Sequence, residues 1–156
     1  MNGTYGFYER TAPGQPSQAL TLGTLMSHEV QALSPQHTVR DALMLMQAHH
    51  IHHIPIVDDT GHLVGLVSET DLLRFIPIQP DGETASGDHP PLLTPIKELM
   101  VRDVATLPAQ AHVADAIRLF QARRFHSAPV VDGEQRVIGM ITETDLMKLL
   151  FLMVGN

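Results

Sequence analysis

The apolar positions of this chain form short runs whose spacing changes character along its length. Val39, Ala42, Leu43 and Met46 recur at i, i+3, i+4 and i+7, and Val113, Ala116, Ile117 and Phe120 do the same. That period puts one apolar stripe on a helix. Each helical stretch is followed by two brief apolar runs, Ile54–Val57 with Leu63–Val67, and Ala128–Val131 with Val137–Ile141. Their length and their Ile and Val content predict strands, joined by the turn-like segments 58–62 and 132–136. A further helix is expected to start at Ser68 and at Thr142. Ahead of each amphipathic helix stands a short helix carrying Leu22, Leu25 and Met26, or Ile96, Leu99 and Met100. An extended piece follows it, Val30–Leu33 or Val104–Leu107. The predicted order is therefore β-α-β-β-α, twice. Strands this short cannot bury two faces alone, so the copies are expected to pack sheet against sheet.

The two halves are copies of one unit. Leu25-Met26 returns as Leu99-Met100, and Val39, Asp41-Ala42, Pro55, Gly65 and Glu69-Thr70-Asp71 all recur at the same offset of 74 residues. Comparing 25–73 with 99–147 without a gap gives 20 identities in 49 positions. Unrelated segments of ordinary composition would share roughly 3. The expected fold class is α+β, two β-α-β-β-α repeats related by pseudo-two-fold symmetry. The expected boundaries are a flexible tail at 1–19, a first repeat at 20–76, a mobile Pro/Gly-rich linker at 77–95 and a second repeat at 96–154.

Composition removes several functions. The net charge is −7 and no polybasic run occurs, so neither nucleic acid nor anionic lipid is an expected partner. There is no cysteine, hence no disulfide, thiolate metal site or thiol nucleophile. The N-terminus lacks a basic segment followed by an apolar one, so no secretory signal is expected. The longest apolar stretch, Leu146 to Val154, is broken by Lys148 and falls short of the roughly 20 residues of a membrane span. A soluble, cytoplasmic protein is expected, its apolar C-terminus packed on a partner or on its own core. Met44, Met46, Met140 and Met147 read as core or interface filler.

Candidate chemistry concentrates in two places. Gly65 to Asp71 and Gly139 to Asp145 each run from a strand into a helix, with Ser68 or Thr142 at the N-cap and Asp71 or Asp145 at the third helical position. Such a pair can simply cap the helix. Thr38 with Asp41, and His112 with Asp115, have the same spacing and read as capping alone. A helix N-terminus also suits a phosphate, which the hydroxyl could bind while the carboxylate accepts ribose hydroxyls. The preceding Gly would let a flat ring approach the backbone. The second place is the helix-to-strand junction, where His49, His50, His52 and His53 stand against Arg123, Arg124, His126 and Ser127. Four His invite a metal, but guanidinium is no metal ligand, so the copies share only basic or hydrogen-bonding character. A phosphate and a plain basic helix end both remain open there. No P-loop, nucleophile elbow or other catalytic motif occurs.

These residues resemble a known family. The segments 25–35 and 99–109, 49–58 and 123–132, and 65–73 and 139–147 are similar to the CBS domain, named after cystathionine β-synthase, and the doubled unit resembles a Bateman module. The resemblance implies a regulatory module that binds AMP, ADP or ATP, with NAD or S-adenosylmethionine possible, and holds no catalytic cofactor. It implies two clefts between the copies and a homodimer that signals through its arrangement to an effector in trans. Carried over, Thr142 and Ser68 would contact phosphate, and Asp145 and Asp71 ribose. Backbone of 104–106 and 128–129, at Val104, Thr106, Ala128 and Pro129, would frame adenine in one cleft, and backbone of 31–33 and 54–55, at Gln31, Ala32, Ile54 and Pro55, in the other. Arg124, His126, His50 and His52 are phosphate candidates. Thr106, Ala128 and Thr142 together make the second motif the expected tighter site. An enzyme, a structural dimeriser without ligand and a His-rich metal binder are the competing readings.

Overall fold

The computed structural model describes residues 20–77, 90–123 and 125–155. The expected tail 1–19, the greater part of the expected linker and Arg124 lie outside them. In chain order the elements are α1 (Leu22–Leu25), α2 (Val39–His49), β1 (His53–Val57), β2 (Leu63–Ser68), α3 (Glu69–Phe75), β3 (Leu107–Pro108), α4 (Val113–Arg123), β4 (Ser127–Val131), β5 (Val137–Thr142) and α5 (Glu143–Val154). Two 3-10 turns, Pro90–Leu93 and Ile96–Glu98, stand before β3.

Local chemistry accounts for each boundary. Thr38 caps α2 through a full box: its hydroxyl accepts from the Asp41 N–H while its own N–H donates to the Asp41 carboxylate. The Thr38 backbone bond, with its hydroxyl bond, holds the Asp41 carboxyl below its ordinary pKa against the opposing effect of burial. α2 ends where His50 enters the left-handed region at φ 52°, and the His50 and Ile51 N–H groups both return to the Met46 carbonyl. That turn sends the following histidines toward β1. β1 and β2 form an antiparallel hairpin, His53 opposite Ser68, with a bulge at Ile56/Val57; β4 and β5 repeat it, Ser127 opposite Thr142, with the bulge at Val130/Val131.

The leading strand differs between halves. In the second, β3 pairs parallel with β4, whereas in the first a single bridge, Leu33 to Ile56, stands at its place. The expected extended pieces thus shrink to one bridge and two residues. In the first half Pro35 occupies the position whose N–H would extend the ladder, and proline has none to give.

The symmetry is written in the hydrogen bonds. Thr21 bridges His112 as Thr38 bridges Pro95, and Ser27 bridges Met140 as Leu66 bridges Val101. Each pair maps onto the other through the 74-residue offset, which also maps the His62–Arg136 bridge onto itself. The pseudo-two-fold axis therefore passes between the hairpin tips, where Leu63 N–H meets the Gln135 carbonyl and Val137 N–H the Gly61 carbonyl, both at 3.1 Å.

Two cores result rather than one closed between facing sheets. Val39, Ala42, Met46, Ile54, Ile56, Val67 and Leu72 form the first, joined by Leu92, Ile96 and Met100. Ala116, Phe120, Ala128, Val130 and Ile141 form the second, joined by Leu22 and Met26. The short helices have changed places: each seals the core of the other repeat. Full burial of Leu22 or Ile96 stabilises by about 2 kcal/mol each, and that stabilisation links the halves. The end of the expected linker is likewise built in, with Leu92 buried and the Thr94 carbonyl accepting from Val39 N–H at 3.0 Å.

Candidate functional site

The exchange of short helices creates two clefts between the repeats. The first, about 360 Å³, is lined by Ser27, Glu29, Val30 and Gln31 after α1, by His50–His53, and by Met140, Thr142–Asp145 and Lys148. The second, about 460 Å³, is lined by Val101, Asp103, Val104 and Ala105, by Phe125–Ser127, by Leu66, Ser68–Asp71 and Arg74, and by His52 and His53. The offset of 74 carries one onto the other: Glu29 to Asp103, Ile51 to Phe125, Thr142 to Ser68, Asp145 to Asp71, Lys148 to Arg74. Each cleft offers a hydroxyl, a carboxylate and a cation on successive turns of one helix, opposite an apolar wall. That set suits a flat, partly apolar ligand bearing hydroxyls and an anionic group.

The two helix entrances differ. Thr142 and Asp145 close a full capping box: Thr142 N–H and Oγ1–H donate to Asp145 Oδ2 at 2.9 and 3.0 Å, and Asp145 N–H donates back at 3.3 Å. The geometry matches Thr38 and Asp41, the pair with a capping role alone. At the other entrance Ser68 accepts from Asp71 N–H at 3.2 Å, while an Asp71 carboxylate oxygen lies 4.0 Å from Arg74. Both Thr142 donations fall on Asp145 Oδ2, so Asp145 Oδ1 can accept from a ligand with the box closed, whereas Asp71 starts from a looser arrangement.

Histidines form the wall between the clefts: His52, His53 and His126 line both. His52 Nδ1 lies 2.5 Å from Glu69 Oε2, and His126 Nδ1 lies 2.9 Å from Glu143 Oε2. Both pairs are exposed and contribute little to stability; their effect is to orient the rings. Backbone bonds from Glu69 to the His52 carbonyl and from Glu143 to the His126 carbonyl fix the same geometry. His53 is half-buried, and burial first, then His52 and His126, push its pKa below the ordinary histidine value, opposed by Asp71. Its counterpart Ser127 is 4% exposed, and its hydroxyl has no hydrogen-bond partner among the described residues.

Several expected site residues are placed together and others are not. His50, His52, His126, Thr142 and Asp145 line the first cleft, and His52, His126, Ser68 and Asp71 the second. Ile54, Pro55, Ala128 and Pro129 are buried in the strands, and Ala32 lines neither cleft. Thr106 lines a separate recess with Pro108, Gln110, Asp132 and Gln135. Val104 and Ala105 face Ser68 and Asp71, not the Thr142 motif of their own repeat. Of the grouping on which a tighter second motif was expected, Ala128 is buried beside Thr142 in the β4–β5 register, while Thr106 stands apart in its own recess.

The expected role of the strand glycines is also overturned. A Cβ on Gly65 would lie 2.5 Å from the Met100 sulfur, and one on Gly139 would strike Met26. The close approach serves the exchanged methionines, not a ligand ring. Residues that sequence reasoning passed over include Glu29, Asp103, Ile51, Phe125, Lys148 and Arg74. For the last two the signal was present: Thr142, Asp145 and Lys148, like Ser68, Asp71 and Arg74, recur every third residue and share a helix face. Among the described residues, no three His, Asp or Glu are grouped as a metal ion would need. No helix among them is long and apolar enough to cross a membrane.

Comparison with known proteins agrees with this architecture. A model of the CBS domain matches residues 22–78 and again 96–152. Inosine-5'-monophosphate dehydrogenase of Methanocaldococcus jannaschii is 29% identical over 120 residues, which are 77% of this chain and 21% of that protein. Homoserine O-acetyltransferase of Methanocorpusculum labreanum is 29% identical over 133 residues, 85% of this chain and 25% of that one. The chain thus spans a quarter or less of those two relatives. A CBS domain-containing protein of Dictyostelium discoideum is 30% identical over 81% of this chain and 88% of its own. Among solved structures, a putative acetoin utilization protein of Vibrio cholerae superposes with a TM-score of 0.72 at 28% identity, over 87% of this chain and 93% of that one. CBSX2 in complex with AMP does so with a TM-score of 0.70 at 25% identity, over 85% and 97%. The chain belongs to the CBS domain family, as a tandem pair of its repeats.

Proposed function

We propose that this CBS pair is a regulatory module, not an enzyme, that binds an adenosyl ligand in one or both clefts and signals its level through the arrangement of the two repeats. The observation that carries the reading is the composite construction of each cleft. The hydroxyl and carboxylate come from one repeat, the histidine junction and the short-helix segment from the other. A ligand that touches both walls stabilises one relative placement of the repeats over others, by as much as its differential affinity. CBSX2, a relative solved with AMP, supports the ligand class.

α5 supports an assembly of two copies. Met147, Leu150, Phe151, Leu152, Met153 and Val154 are all exposed, and Leu73 and Phe75 of the pseudo-equivalent α3 are exposed as well. A second copy covering this surface predicts a dimer by light scattering, converted to monomer by Phe151→Glu with Met147→Glu.

Calorimetric titration of ligand-free protein with AMP, then ATP, NAD and S-adenosylmethionine, tests the ligand. Saturable binding, weakened at least tenfold when Asp71 and Asp145 are both replaced by Asn, is the expected result. No heat with any of the four, from folded protein, would sink the reading and leave the Ser68 and Thr142 motifs as helix caps.

A further inference from the structure

The histidine wall carries an inference that rests on the adenosyl reading and sharpens it. His52 and His126 are each tied to a glutamate, at 2.5 and 2.9 Å. No described residue hydrogen-bonds either ring nitrogen of His53, which borders both clefts. The pseudo-two-fold places Ser127 at the equivalent position, so this ring has no copy in the other half. We propose that His53 is a specificity-determining residue: it takes up a proton when a phosphorylated ligand occupies a cleft, and so favours phosphate-bearing over neutral adenosyl ligands more strongly as pH falls.

The surroundings set the sign. In the ligand-free protein burial and the neighbouring His52 and His126 disfavour the charged ring, while Asp71 favours it. The other charged groups of the shared clefts are balanced. Lys148 and Arg74 stand at equivalent points of α5 and α3, Glu29 and Asp103 after the short helices, and Asp145 and Asp71 at the helix entrances, with Glu69 and Glu143 engaged by the tied histidines and His50 lining the first cleft alone. An added phosphate shifts this balance toward negative charge, and among the described residues His53 is the unpaired ring that borders both clefts to answer it. A histidine whose pKa is low when free and raised when bound tightens the complex as pH falls from the bound value toward the free one. With a second phosphate pKa near 6, about a quarter of AMP is monoanion at the acid end of a window of pH 8 to 6.5, which removes negative charge from the ligand and so opposes the expected rise rather than imitating it.

The test is AMP and adenosine titration across that window, repeated in two buffers of different ionisation enthalpy to count protons taken up. For the wild type, AMP affinity should rise about fivefold from pH 8 to pH 6.5, with net proton uptake, and adenosine affinity should stay flat. His53→Ser installs the residue of the equivalent position, and His53→Gln keeps size and hydrogen bonding without titration; circular dichroism verifies folding of both. The rise should fall below about twofold in either variant, since His52 and His126 remain in both. A rise that persists undiminished in both variants, or one that adenosine shares, overturns the proposal while the adenosyl reading stands. Binding of neither AMP nor adenosine to folded protein overturns both.

Discussion

The two clefts are one design executed twice, and their differences show what duplication conserves and what it leaves free. Both hold a hydroxyl, a carboxylate and a cation on one helix, at Thr142, Asp145 and Lys148 or at Ser68, Asp71 and Arg74. The first entrance is locked by a reciprocal capping box, and the second is half made. α5 runs for 12 residues and α3 for 7, so the first entrance ends a longer, better capped helix. The apolar wall carries Ile51 in one cleft and Phe125 in the other, and only the Phe125 ring can stack on a base. The backbone frame has been kept by the need to fill two cores. Among the cleft-lining pairs His52 and His126, and Glu69-Thr70-Asp71 and Glu143-Thr144-Asp145, are alike while Ile51 and Phe125, and His53 and Ser127, differ, so the clefts need not share an affinity or a preferred ligand.

The comparison can be broken most forcefully at the exchanged methionines. Gly139→Val or Gly65→Val should destabilise the protein by about 3 kcal/mol, because the new side chain overlaps Met26 or Met100. Combining Gly139→Val with Met26→Ala should cost at least about 1 kcal/mol less than the sum of the single changes. Urea unfolding of the four proteins gives the coupling, and strict additivity would show that the short helix does not seat on the opposite repeat.

A smaller effect separates the two entrances. Asp145→Ala removes two bonds from Thr142 and should cost about 1 kcal/mol of stability, whereas Asp71→Ala should stay within about 0.5 kcal/mol. Thermal melts without ligand decide this, and they must precede any comparison of affinities, since equal losses would mean that the two entrances are alike. Ser127→Ala should leave stability unchanged or raise it by up to about 1 kcal/mol, because the lost hydroxyl is buried without a partner among the described residues. A clear loss in chemical denaturation would reveal a partner for that oxygen.

The smallest effect concerns the hairpin tips, where the halves agree. Asp58 accepts from the Thr60 hydroxyl, which also meets His62, and from two backbone N–H groups; Asp132 accepts from the N–H groups of Arg136 and Glu134 and from the Arg136 side chain. Bonds from the Thr60 side chain and the Arg136 backbone are the leading causes that lower the two carboxyl pKa values. A lowered folded value means stability present above the unfolded pKa of about 3.9 and lost as pH falls through the folded one. The stability gap between wild type and Asp58→Asn or Asp132→Asn should therefore be widest near neutrality and close below about pH 4. A gap that persists at pH 2.5 would mean that charge plays no part in the turn.

Much of the molecule was determined by the sequence alone. Apolar spacing located α2, α4 and both hairpins, because a period of 3.6 or 2 reports directly which face is buried. The offset of 74 residues implied the symmetry, and the hydroxyl-to-Asp spacing located three helix starts, because capping is local chemistry between neighbours in the chain. Tertiary structure alone decided which surface buries each apolar face. Hydrophobic burial is non-directional, so Leu22 and Met26 read equally well as core of their own repeat, yet they seal the other one. From that exchange followed the composite clefts, the pairing of Val104 and Ala105 with Ser68 rather than Thr142, the reserved space beside Gly65 and Gly139, and the meeting of His52, His53 and His126 in one wall. Each of these brings together residues 35 or more positions apart from two halves built on the same pattern, and local spacing cannot tell a residue's own half from its copy.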